Sequence, residues 1–320
     1  MKAIVYDRYG SPEVLHLKEV EKPAPKDNEV LIKIHAASVN AYDWHFLTAD
    51  VFLIRLMGEP KYTRLGADIA GRVEAVGKNV NQFQPDDEVF GMVRGGFAEY
   101  ACAPESALAL KPVNTLFEEA AAIPMAAITA LQGLRDEAQI QMGQKVLING
   151  ASGGVGTFAV QIAKSFGAEV TAVCSAGNLE QARSIGADHV IDYTKEDFTQ
   201  NGQQYDLILA ANGYHPLSAY KRALTPKGVY IMAGGSMAQI FQSLLIGSIM
   251  SETGGRKMGG ISAKRNQNDL IFIKELFEAG KVKSVIDRRY PLSETPEALR
   301  YLGEGHARGK VVITIEHESK

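Results

Sequence analysis

The sequence predicts an α/β protein of two domains, one built on a doubly wound parallel sheet and the other a β-rich, barrel-like domain. The chain has 320 residues, which is more than a single hydrophobic core usually serves. Residues 1–116 contain short segments in which apolar and polar residues alternate. Gly, Pro, Asn and Asp separate these segments, a pattern typical of β-structure. Residues 117–284 alternate between strand and helix patterns, which is typical of a parallel sheet covered on both faces.

The order of these segments sets the predicted domain boundaries. The β-rich domain takes residues 1–120, and the tail at 285–320 returns to strand, short helix and strand and is expected to complete it. The parallel sheet takes residues 121–284, with strands predicted at 146–149, 170–174, 189–191, 207–210 and 229–233. Gly167 and Gly186 stand where helices end and a positive φ is needed.

Composition and charge argue against several classes of protein. With 46% hydrophobic and 22% charged residues, the chain has the composition of an ordinary globular protein. The net charge of -3 argues against a nucleic-acid partner. The most apolar stretches, 120–131 and 240–250, are shorter than the ~20 residues that cross a bilayer. The N-terminal segment lacks the pattern of a secretion signal. We therefore expect a cytoplasmic protein with no membrane span.

A glycine-rich stretch, VLINGASGGVGTFAVQIAK at 146–164, follows a predicted strand and opens a predicted helix. Its spacing, Ala151-x-Gly153-x-x-Gly156, is that of the dinucleotide-binding turn of Rossmann domains, with alanine in place of the first glycine. The middle glycine lets the backbone approach a pyrophosphate, and the helix dipole favours the anion. The predicted phosphate-binding residues are Ala151, Ser152, Gly153, Gly154, Val155 and Gly156. A tight structural turn without a ligand is the alternative.

The end of the next strand decides between NADH and NADPH. NAD-preferring sites place a carboxylate there to bind the ribose 2′-hydroxyl. Here the strand ends in Ser175, and no acidic residue follows before Glu180. A 2′-phosphate is therefore not repelled, and Ser175, Asn178 and Tyr193 can donate hydrogen bonds to it. We predict NADPH as the cofactor. Arg183, one of the nearest cations, is equally well interpreted as a surface helix residue.

Eight ordered segments give the chain a family resemblance. They are EVLIKIHAASVNAYDWH, LGADIAGRVEAVGKNV, GGFAEYA, AAAIPMAAITALQGL, GASGGVGTFAVQIAKSFGAEV, SIGADHVIDY, LTPKGVYIMAGG and EGHARGKVVI. Together they resemble the medium-chain dehydrogenase/reductase superfamily, within it the zinc-free quinone oxidoreductases and especially the NADPH-dependent quinone and enone (alkenal/one) reductases. The resemblance implies a GroES-like substrate domain built from both chain ends, a Rossmann domain between them and a ligand cleft where they meet. It also implies a dimer or tetramer, and we predict a homodimer.

Other residues stand where the superfamily's alcohol dehydrogenases place their zinc ligands. Those enzymes bind catalytic zinc through Cys, His and Cys, with a nearby Glu. By resemblance, the first Cys falls at or next to Asn40, the His becomes Ala67, and the third ligand region, IPMAAITA, has no Cys. Zinc needs thiolate or imidazole ligands that converge on one point. Cys102 and Cys174, the only cysteines, stand far apart in the chain, so no metal site is predicted.

Without a metal, the predicted reaction is hydride transfer to an acceptor that is already electrophilic. Zinc holds the alkoxide when an unactivated alcohol is oxidised, whereas a quinone or an α,β-unsaturated carbonyl accepts hydride from NADPH once the two are held in contact. The predicted catalytic residues are Asn40, Tyr42 and Asp43. Tyr42 is a proton donor or simply a packed side chain, and Asp43 could equally be a partner for backbone N–H groups in its loop. Further residues predicted at the cofactor are Thr129, Asn212, Ala233, Gly234, Gly235 and Lys310.

Two interpretations of different class follow. The leading one is a zinc-free, NADPH-dependent reductase of a small quinone or enone. The alternative is a catalytically silent NADPH-binding protein with a sensing or structural role, because a fold does not by itself imply activity. The sequence leaves open whether the acceptor is a quinone or an enone.

Overall fold

The computed structural model describes residues 1–48, 60, 63–212, 215–234 and 255–317. The chain divides into two compact units, the first containing 1–125, 265–278 and 284–320 and the second 126–264 and 279–283. This division differs from the predicted boundaries mainly at 265–278, a helical segment that belongs to the first unit. The Asn114 amide donates to the Phe277 carbonyl at 2.8 Å, and the Val113 N–H donates to Glu278 Oε1 at 3.2 Å. These bonds attach the segment to the β-rich unit.

Both units mix strands with helices, numbered here along the chain. The strands are β1 (Lys2–Val5), β2 (His16–Glu19), β3 (Glu29–Val39), β4 (Asp68–Val76), β5 (Glu88–Met92), β6 (Tyr100–Pro104), β7 (Leu108–Leu110), β8 (Lys145–Asn149), β9 (Glu169–Cys174), β10 (His189–Asp192), β11 (Tyr205–Ala210), β12 (Leu224–Met232), β13 (Lys257–Gly260), β14 (Ile286–Pro291) and β15 (Lys310–Thr314). The α-helices are α1 (Ala41–Thr48), α2 (Phe117–Ala121), α3 (Pro124–Gln132), α4 (Gly154–Ser165), α5 (Leu179–Ser184), α6 (Leu217–Ala223), α7 (Gln267–Glu278) and α8 (Thr295–Gly303).

The sheet of the first unit is mixed and has the long strand β3 near its centre. Its strands follow the order β14-β15-β3-β4-β5-β7, with β6 paired to the first half of β3, while β1 and β2 form a separate antiparallel pair. Alternate apolar residues of β3, including Ile32 and Ile34, enter one core together with Val89 and Phe97. Burial of this apolar surface is the main stabilising contribution. The tail strands β14 and β15 lie in this sheet, and β15 runs antiparallel to β3.

The sheet of the second unit is parallel throughout and follows the order β10-β9-β8-β11-β12-β13. The chain moves outwards through β8, β9 and β10, and then starts again on the other side with β11. The order therefore reverses between β8 and β11, and doubly wound sheets bind ligands beyond the carboxyl ends of their strands at such a point. This topology confirms the predicted fold class. β12 begins earlier than predicted, because Leu224 already pairs with Tyr205 of β11.

Helix α4 follows the glycine-rich turn and packs on this sheet. Five apolar residues predict its buried face: Phe158, Ala159, Ile162 and Ala163 are buried, and Phe166, just after the helix, is only half-buried. Gly167 follows this helix with a φ of +79°, a left-handed conformation that glycine adopts without strain, as predicted. Within the described residues, no helix is both long and apolar enough to span a bilayer.

Candidate functional site

The glycine-rich turn of the second unit, residues 150–156, joins β8 to α4. At Gly156 a Cβ would stand 2.0 Å from the Gly150 carbonyl oxygen, so the helix can approach the strand only with glycine there. At Gly153 a Cβ would lie 3.7 Å from that same oxygen, and the φ of -81° suits any residue. The protein's own packing therefore does not require a bare backbone at Gly153. A ligand lying on the turn would require it.

The start of α4 offers backbone donors to an anion. The Thr157 N–H donates to the Gly153 carbonyl at 2.9 Å. The N–H groups that precede it in the first turn have no carbonyl partner within the helix. The helix has 12 residues, and its dipole adds partial positive charge at this end. A pyrophosphate on the turn would accept hydrogen bonds from these donors, so the predicted residues 151–156 fit a dinucleotide.

The turn lies where the order of the sheet reverses. The N–H groups of Ala211 and Asn212 donate to the Asn149 carbonyl at 2.9 and 3.2 Å, which ties the end of β8 to the end of β11. Gly234 follows β12, and a Cβ there would lie 2.5 Å from the Ala211 oxygen. Ala233 precedes it and donates its N–H to the end of β11 at 2.8 Å. Three predicted cofactor residues, Asn212, Ala233 and Gly234, are thus at the edge where doubly wound sheets bind ligands.

The other predicted cofactor residues are distributed differently. Thr129 lies on α3 and is buried. Gly235 lies outside the described residues. Lys310 lies in the first unit, where its side chain belongs to the polar cluster described below.

A polar pair follows β9, where the cofactor ribose is expected. The Asn178 side-chain amide donates to Ser175 Oγ at 3.0 Å. Asn178 is buried, and its Oδ1 has no hydrogen-bond partner among the described residues. A buried polar atom without a partner is rare and indicates a place for a ligand or a water molecule. Tyr193 follows β10 and exposes most of its side chain.

Sequence reasoning missed a carboxylate near this pair. Asp192 ends β10 and pairs with Cys174, the last residue of β9, so it lies beside the strand end that Ser175 follows. Its Oδ1 accepts hydrogen bonds from the Thr194 N–H at 3.1 Å and from Thr194 Oγ1 at 2.8 Å. These bonds, the side-chain one first, hold the pKa of Asp192 below its usual range. The sequence shows that β9 leads to Ser175. That β10 ends at the same edge of the sheet follows only from the pairing of the two strands.

The cations near the ribose position already have carboxylate partners. Arg183 is half-exposed on α5, and its guanidinium lies 2.5 Å from Glu180 Oε1. This arrangement supports its interpretation as a surface helix residue. The Lys195 ammonium is exposed and lies 3.9 Å from Asp192 Oδ2. Neither side chain has the geometry of a dedicated phosphate clamp.

The first unit contains a buried group of side chains that we call the polar cluster. Its members come from β3, α1, β4 and β15 and the residues beside them. They are Ser38, Asn40, Asp43, Asp68 and Lys310. The Lys310 ammonium donates to Asn40 Oδ1 at 2.5 Å and lies 3.7 Å from Asp68 Oδ2. The same Asp68 oxygen accepts from Asn40 Nδ2 at 3.0 Å and from Ser38 Oγ at 3.2 Å. Two predicted site residues, Asn40 and Lys310, are therefore in direct contact.

The carboxylate of Asp43 accepts hydrogen bonds from two backbone N–H groups around this cluster. Its Oδ2 accepts from the Asn40 N–H at 2.9 Å, and its Oδ1 accepts from the Gly66 N–H at 3.0 Å. This geometry matches the alternative role, a partner for backbone N–H groups. Burial raises the pKa of Asp43 to about 7, although the two N–H donors act in the opposite direction.

Burial also shifts the other two charged groups of the cluster. It raises the pKa of Asp68, an effect that the nearby Lys310 ammonium partly offsets. It lowers the pKa of Lys310, which Asp68 and Asp43 oppose. Tyr42, the third predicted catalytic residue, stands apart, because its side chain is 49% exposed and its ring lies 4.8 Å from that of Phe46. Its hydroxyl can therefore exchange protons with solvent.

The polar cluster does not have the chemistry of a zinc site. By resemblance, the three ligand positions fall at or next to Asn40, at Ala67 and in the Cys-free segment IPMAAITA, and Asp68 stands where the nearby Glu is expected. Thiolate and imidazole, the donors that zinc prefers, are missing from these positions. Lys310 places an ammonium group among the remaining oxygens, and this charge would repel a dication. The described residues also contain no group of three or more His, Cys, Asp or Glu that could hold a metal ion.

Sequence reasoning did not assign Asp68 or Ser38 to the site. Asp68 opens a strand of alternating apolar residues, and its carboxylate is fully buried. A charged residue at the head of an apolar strand is the signal that could have identified it, since carboxylates are rarely buried without partners. Ser38 carries no such signal, because serine is common in strands and loops alike.

Family models match both parts of the chain. The alcohol dehydrogenase GroES-like domain matches residues 26–113, and a family described as zinc-binding dehydrogenase matches residues 185–313. The second description refers to zinc, whereas by resemblance this chain has Asn40 and Ala67 where a Cys and a His are expected. The matches agree with a β-rich first unit and a doubly wound second unit.

Individual relatives cover nearly the whole chain. The chloroplast envelope quinone oxidoreductase homolog of Arabidopsis thaliana is 35% identical over 329 residues, covering 98% of both chains. The chloroplastic NADPH-dependent alkenal/one oxidoreductase of the same plant is 34% identical, covering 98% of this chain and 79% of the relative. The structure of the quinone oxidoreductase from Coxiella burnetii superposes with a TM-score of 0.87 at 29% identity, covering 99% of each chain. The protein is therefore an oxidoreductase that belongs to the medium-chain dehydrogenase/reductase superfamily, in its quinone and enone reductase branch.

Proposed function

We propose that the protein is an NADPH-dependent reductase that transfers a hydride, without zinc, to a quinone or to the activated double bond of an α,β-unsaturated carbonyl. The observation that carries the proposal is the bare backbone at Gly153, which the packing of the protein does not require and a dinucleotide would. The names of the relatives supply the acceptor classes, since they include quinone oxidoreductases and an alkenal/one oxidoreductase. A bound NADPH would supply the hydride.

The preference for NADPH is supported by the residues around the ribose position. Ser175 and the amide of Asn178 provide donors, and β9 ends without a carboxylate. Asp192, on the neighbouring strand, places a carboxylate beside the residue that Ser175 follows. Its Oδ1 is already occupied by two hydrogen bonds from Thr194, which favours a role in the turn. We assign the phosphate contacts to residues 151–156 and the nicotinamide end to Thr129, Asn212, Ala233, Gly234 and Gly235.

The acceptor class follows from the chemistry of the polar cluster. Its carboxylate, carboxamide and ammonium groups cannot assemble the Lewis acid that stabilises an alkoxide. An enone or a quinone already carries an electrophilic carbon, so positioning and exclusion of water are sufficient. A bound NADPH would supply the hydride to such an acceptor, and a proton delivered to the resulting enolate or hydroquinone anion would complete the product. We assign Asn40 to the acceptor end and Asp43 to holding the backbone around it, and Tyr42 is half-exposed and can supply the proton.

The test is a panel of acceptors run with NADPH and with NADH. The purified protein is mixed with a small quinone, a short enone and a simple aldehyde, and oxidation of the nicotinamide is followed by its absorbance. We expect turnover with the quinone or the enone, faster with NADPH than with NADH, and none with the aldehyde. Tight NADPH binding without turnover of any acceptor would overturn the proposal and favour the silent, structural alternative.

Two further expectations belong to this proposal. We propose a homodimer, which light scattering of the purified protein would reveal as twice the chain mass of 34.7 kDa. We also propose a cytoplasmic location, although the names of several relatives place those proteins in chloroplasts or mitochondria. Fractionation of the source cells, with the reductase activity as the marker, tests the location.

A further inference from the structure

The polar cluster contains one lysine next to two fully buried carboxyl groups. Lys310 is 3% exposed, and its ammonium contacts Asn40 Oδ1 and faces Asp68 Oδ2. An ammonium group taken out of water is unfavourable unless it is paired with a charge and hydrogen-bonded. The same holds for the carboxylate of Asp68, whose other partners are neutral donors. The opposite charges of Lys310 and Asp68 therefore reduce the cost of burying each other.

The lysine also fixes the orientation of the Asn40 side chain. The two N–H bonds of the amide are directed to the Ser38 carbonyl at 3.3 Å and to Asp68 Oδ2 at 3.0 Å. Its oxygen accepts from the Lys310 ammonium. In the reversed orientation, the amide NH₂ would face the ammonium and the amide oxygen would face a carboxylate. Only one orientation is therefore compatible with both charged neighbours.

We propose that Lys310 is the resident cation of this cluster, taking the charge-balancing place of a metal ion, and that it positions Asn40 for the reductase reaction. The positioning part rests on the proposed function. Lys310 acts through Asn40 and Asp68 and is not assigned a contact with the cofactor or the acceptor. This role differs from the predicted place of Lys310 at the cofactor, because its ammonium is buried among side chains of the first unit.

A double-mutant cycle tests the charge-balancing part without any activity measurement. The variants are Lys310→Met, Asp68→Asn and the two combined, and urea unfolding is followed by the fluorescence of Trp44, the only tryptophan, which lies next to Asp43. Each single change should raise the unfolding equilibrium constant by about 100-fold or more, because it leaves a buried charge without its partner. The double variant should recover to within about 10-fold of the wild type. Additive effects, or a double variant that does not fold, would overturn the proposal.

A second buried lysine of the first unit provides a matched control. Lys111 is 8% exposed, and its ammonium lies 3.2 Å from Glu88. It also donates to the carbonyls of Pro112 and Thr115, and Glu88 is partly exposed, so water can solvate that carboxylate when the lysine is removed. The cycle of Lys111→Met with Glu88→Gln should therefore show a coupling of less than about 5-fold. An equal coupling in both cycles would overturn a special role for Lys310.

The positioning part is tested on the folded double variant. We expect kcat with the preferred acceptor to fall by about 10-fold or more, while KM for NADPH changes by less than about 3-fold, because the glycine-rich turn is intact. A wild-type kcat would overturn the positioning role. If the wild type turns over no acceptor, the proposed function fails, but the unfolding cycle still decides the charge-balancing role. Stoichiometric zinc in the purified wild-type protein would overturn the resident-cation role.

Discussion

The glycine-rich turn of the second unit is made of backbone, whereas the polar cluster of the first unit is made of side chains. Residues 150–156 of the turn are consecutive in the chain, and glycine is essential at some of them because a Cβ would not fit. In the cluster, Asn40 and Lys310 are separated by 270 positions and meet because β15 pairs with β3. The two regions should respond to different changes. Added bulk should damage the turn, and removal of a charge or a hydrogen bond should damage the cluster.

The largest effect is expected from added bulk at Gly156. A Gly156→Ala change places a Cβ against the Gly150 oxygen and the Ala151 Cα, at 2.0 and 2.8 Å, so α4 must move away from β8. Overpacking of this kind costs about 1–3 kcal/mol, and we expect NADPH affinity to fall by about 100-fold. Titration of NADPH fluorescence measures the affinity, and thermal unfolding measures the stability. If the Gly156→Ala variant bound NADPH as tightly as the wild type, the turn would tolerate a larger side chain. The proposed difference between the turn and the polar cluster would then be wrong.

Gly153→Ala is the matched control, because the turn itself has room for the new methyl group. We expect the thermal midpoint to stay close to that of the wild type. NADPH affinity should nevertheless fall by about 10-fold, since the methyl group occupies the place where the pyrophosphate approaches the backbone. If both stability and affinity are unchanged, the turn is structural and carries no dinucleotide at this position.

The next effect concerns Asp43 and the pH dependence of stability. Its pKa of about 7 in the folded protein lies above the value of an exposed aspartate, so the folded state binds the proton more tightly. The stabilisation from this proton is complete below about pH 4 and is lost as the pH rises through about 7. The free energy of unfolding should therefore fall by about 2–3 kcal/mol between about pH 5 and about pH 8. Urea unfolding followed by Trp44 fluorescence gives this slope.

Asp43→Asn should remove the Asp43 part of this slope, leaving the part due to Asp68, whose pKa burial also raises, and should lower the stability at every pH. The new amide can accept only one of the two backbone N–H bonds, and a lost buried hydrogen bond costs about 1–3 kcal/mol. Asp27→Asn is the control, because Asp27 is exposed and pairs with Lys78 at the surface, so its removal should cost less than about 0.5 kcal/mol. An unchanged slope in the Asp43→Asn variant would assign the titration to another group.

The contrast between the two regions also explains how much could be predicted from the sequence. The turn was predictable because its chemistry is local: a strand, spaced glycines and an amphipathic helix occur in one continuous segment. Asn40 and Lys310 were each identified, but their contact depends on the pairing of β15 with β3, which no local pattern encodes. Asp192 was missed for the same reason, since it comes beside Ser175 only through the order of the parallel strands. Spatial neighbours from distant segments require the fold.

A smaller effect is expected when a carboxylate is added at the ribose position. Ser175→Asp places an acceptor for the ribose 2′-hydroxyl after β9 and repels a 2′-phosphate, while Asn178 can still donate to it. The ratio of kcat/KM for NADPH to that for NADH should fall by about 10-fold. Ser184→Asp is the charge control, because Ser184 is exposed at the C-terminal end of α5, away from the carboxyl edge of the sheet. An unchanged ratio would mean that the ribose lies elsewhere.

The smallest effect is expected from Asp192→Asn. This change tests whether a carboxylate side chain affects cofactor binding in the second unit, where the glycine-rich turn would bind the cofactor through its backbone. The remaining amide oxygen can keep both bonds from Thr194, and the NH₂ group replaces Oδ2, which has no hydrogen-bond partner among the described residues. Loss of the negative charge should lower KM for NADPH by about 3-fold and leave KM for NADH unchanged, because only NADPH carries the 2′-phosphate. Asp197 Oδ1 binds Thr199 in the same way, and its Oδ2 also accepts from Gln200 Nε2 at 2.6 Å, so Asp197→Asn controls for the Thr199-type bonds of the turn. Equal KM changes for both cofactors, or a similar change in the Asp197 variant, would restrict Asp192 to shaping the turn after β10.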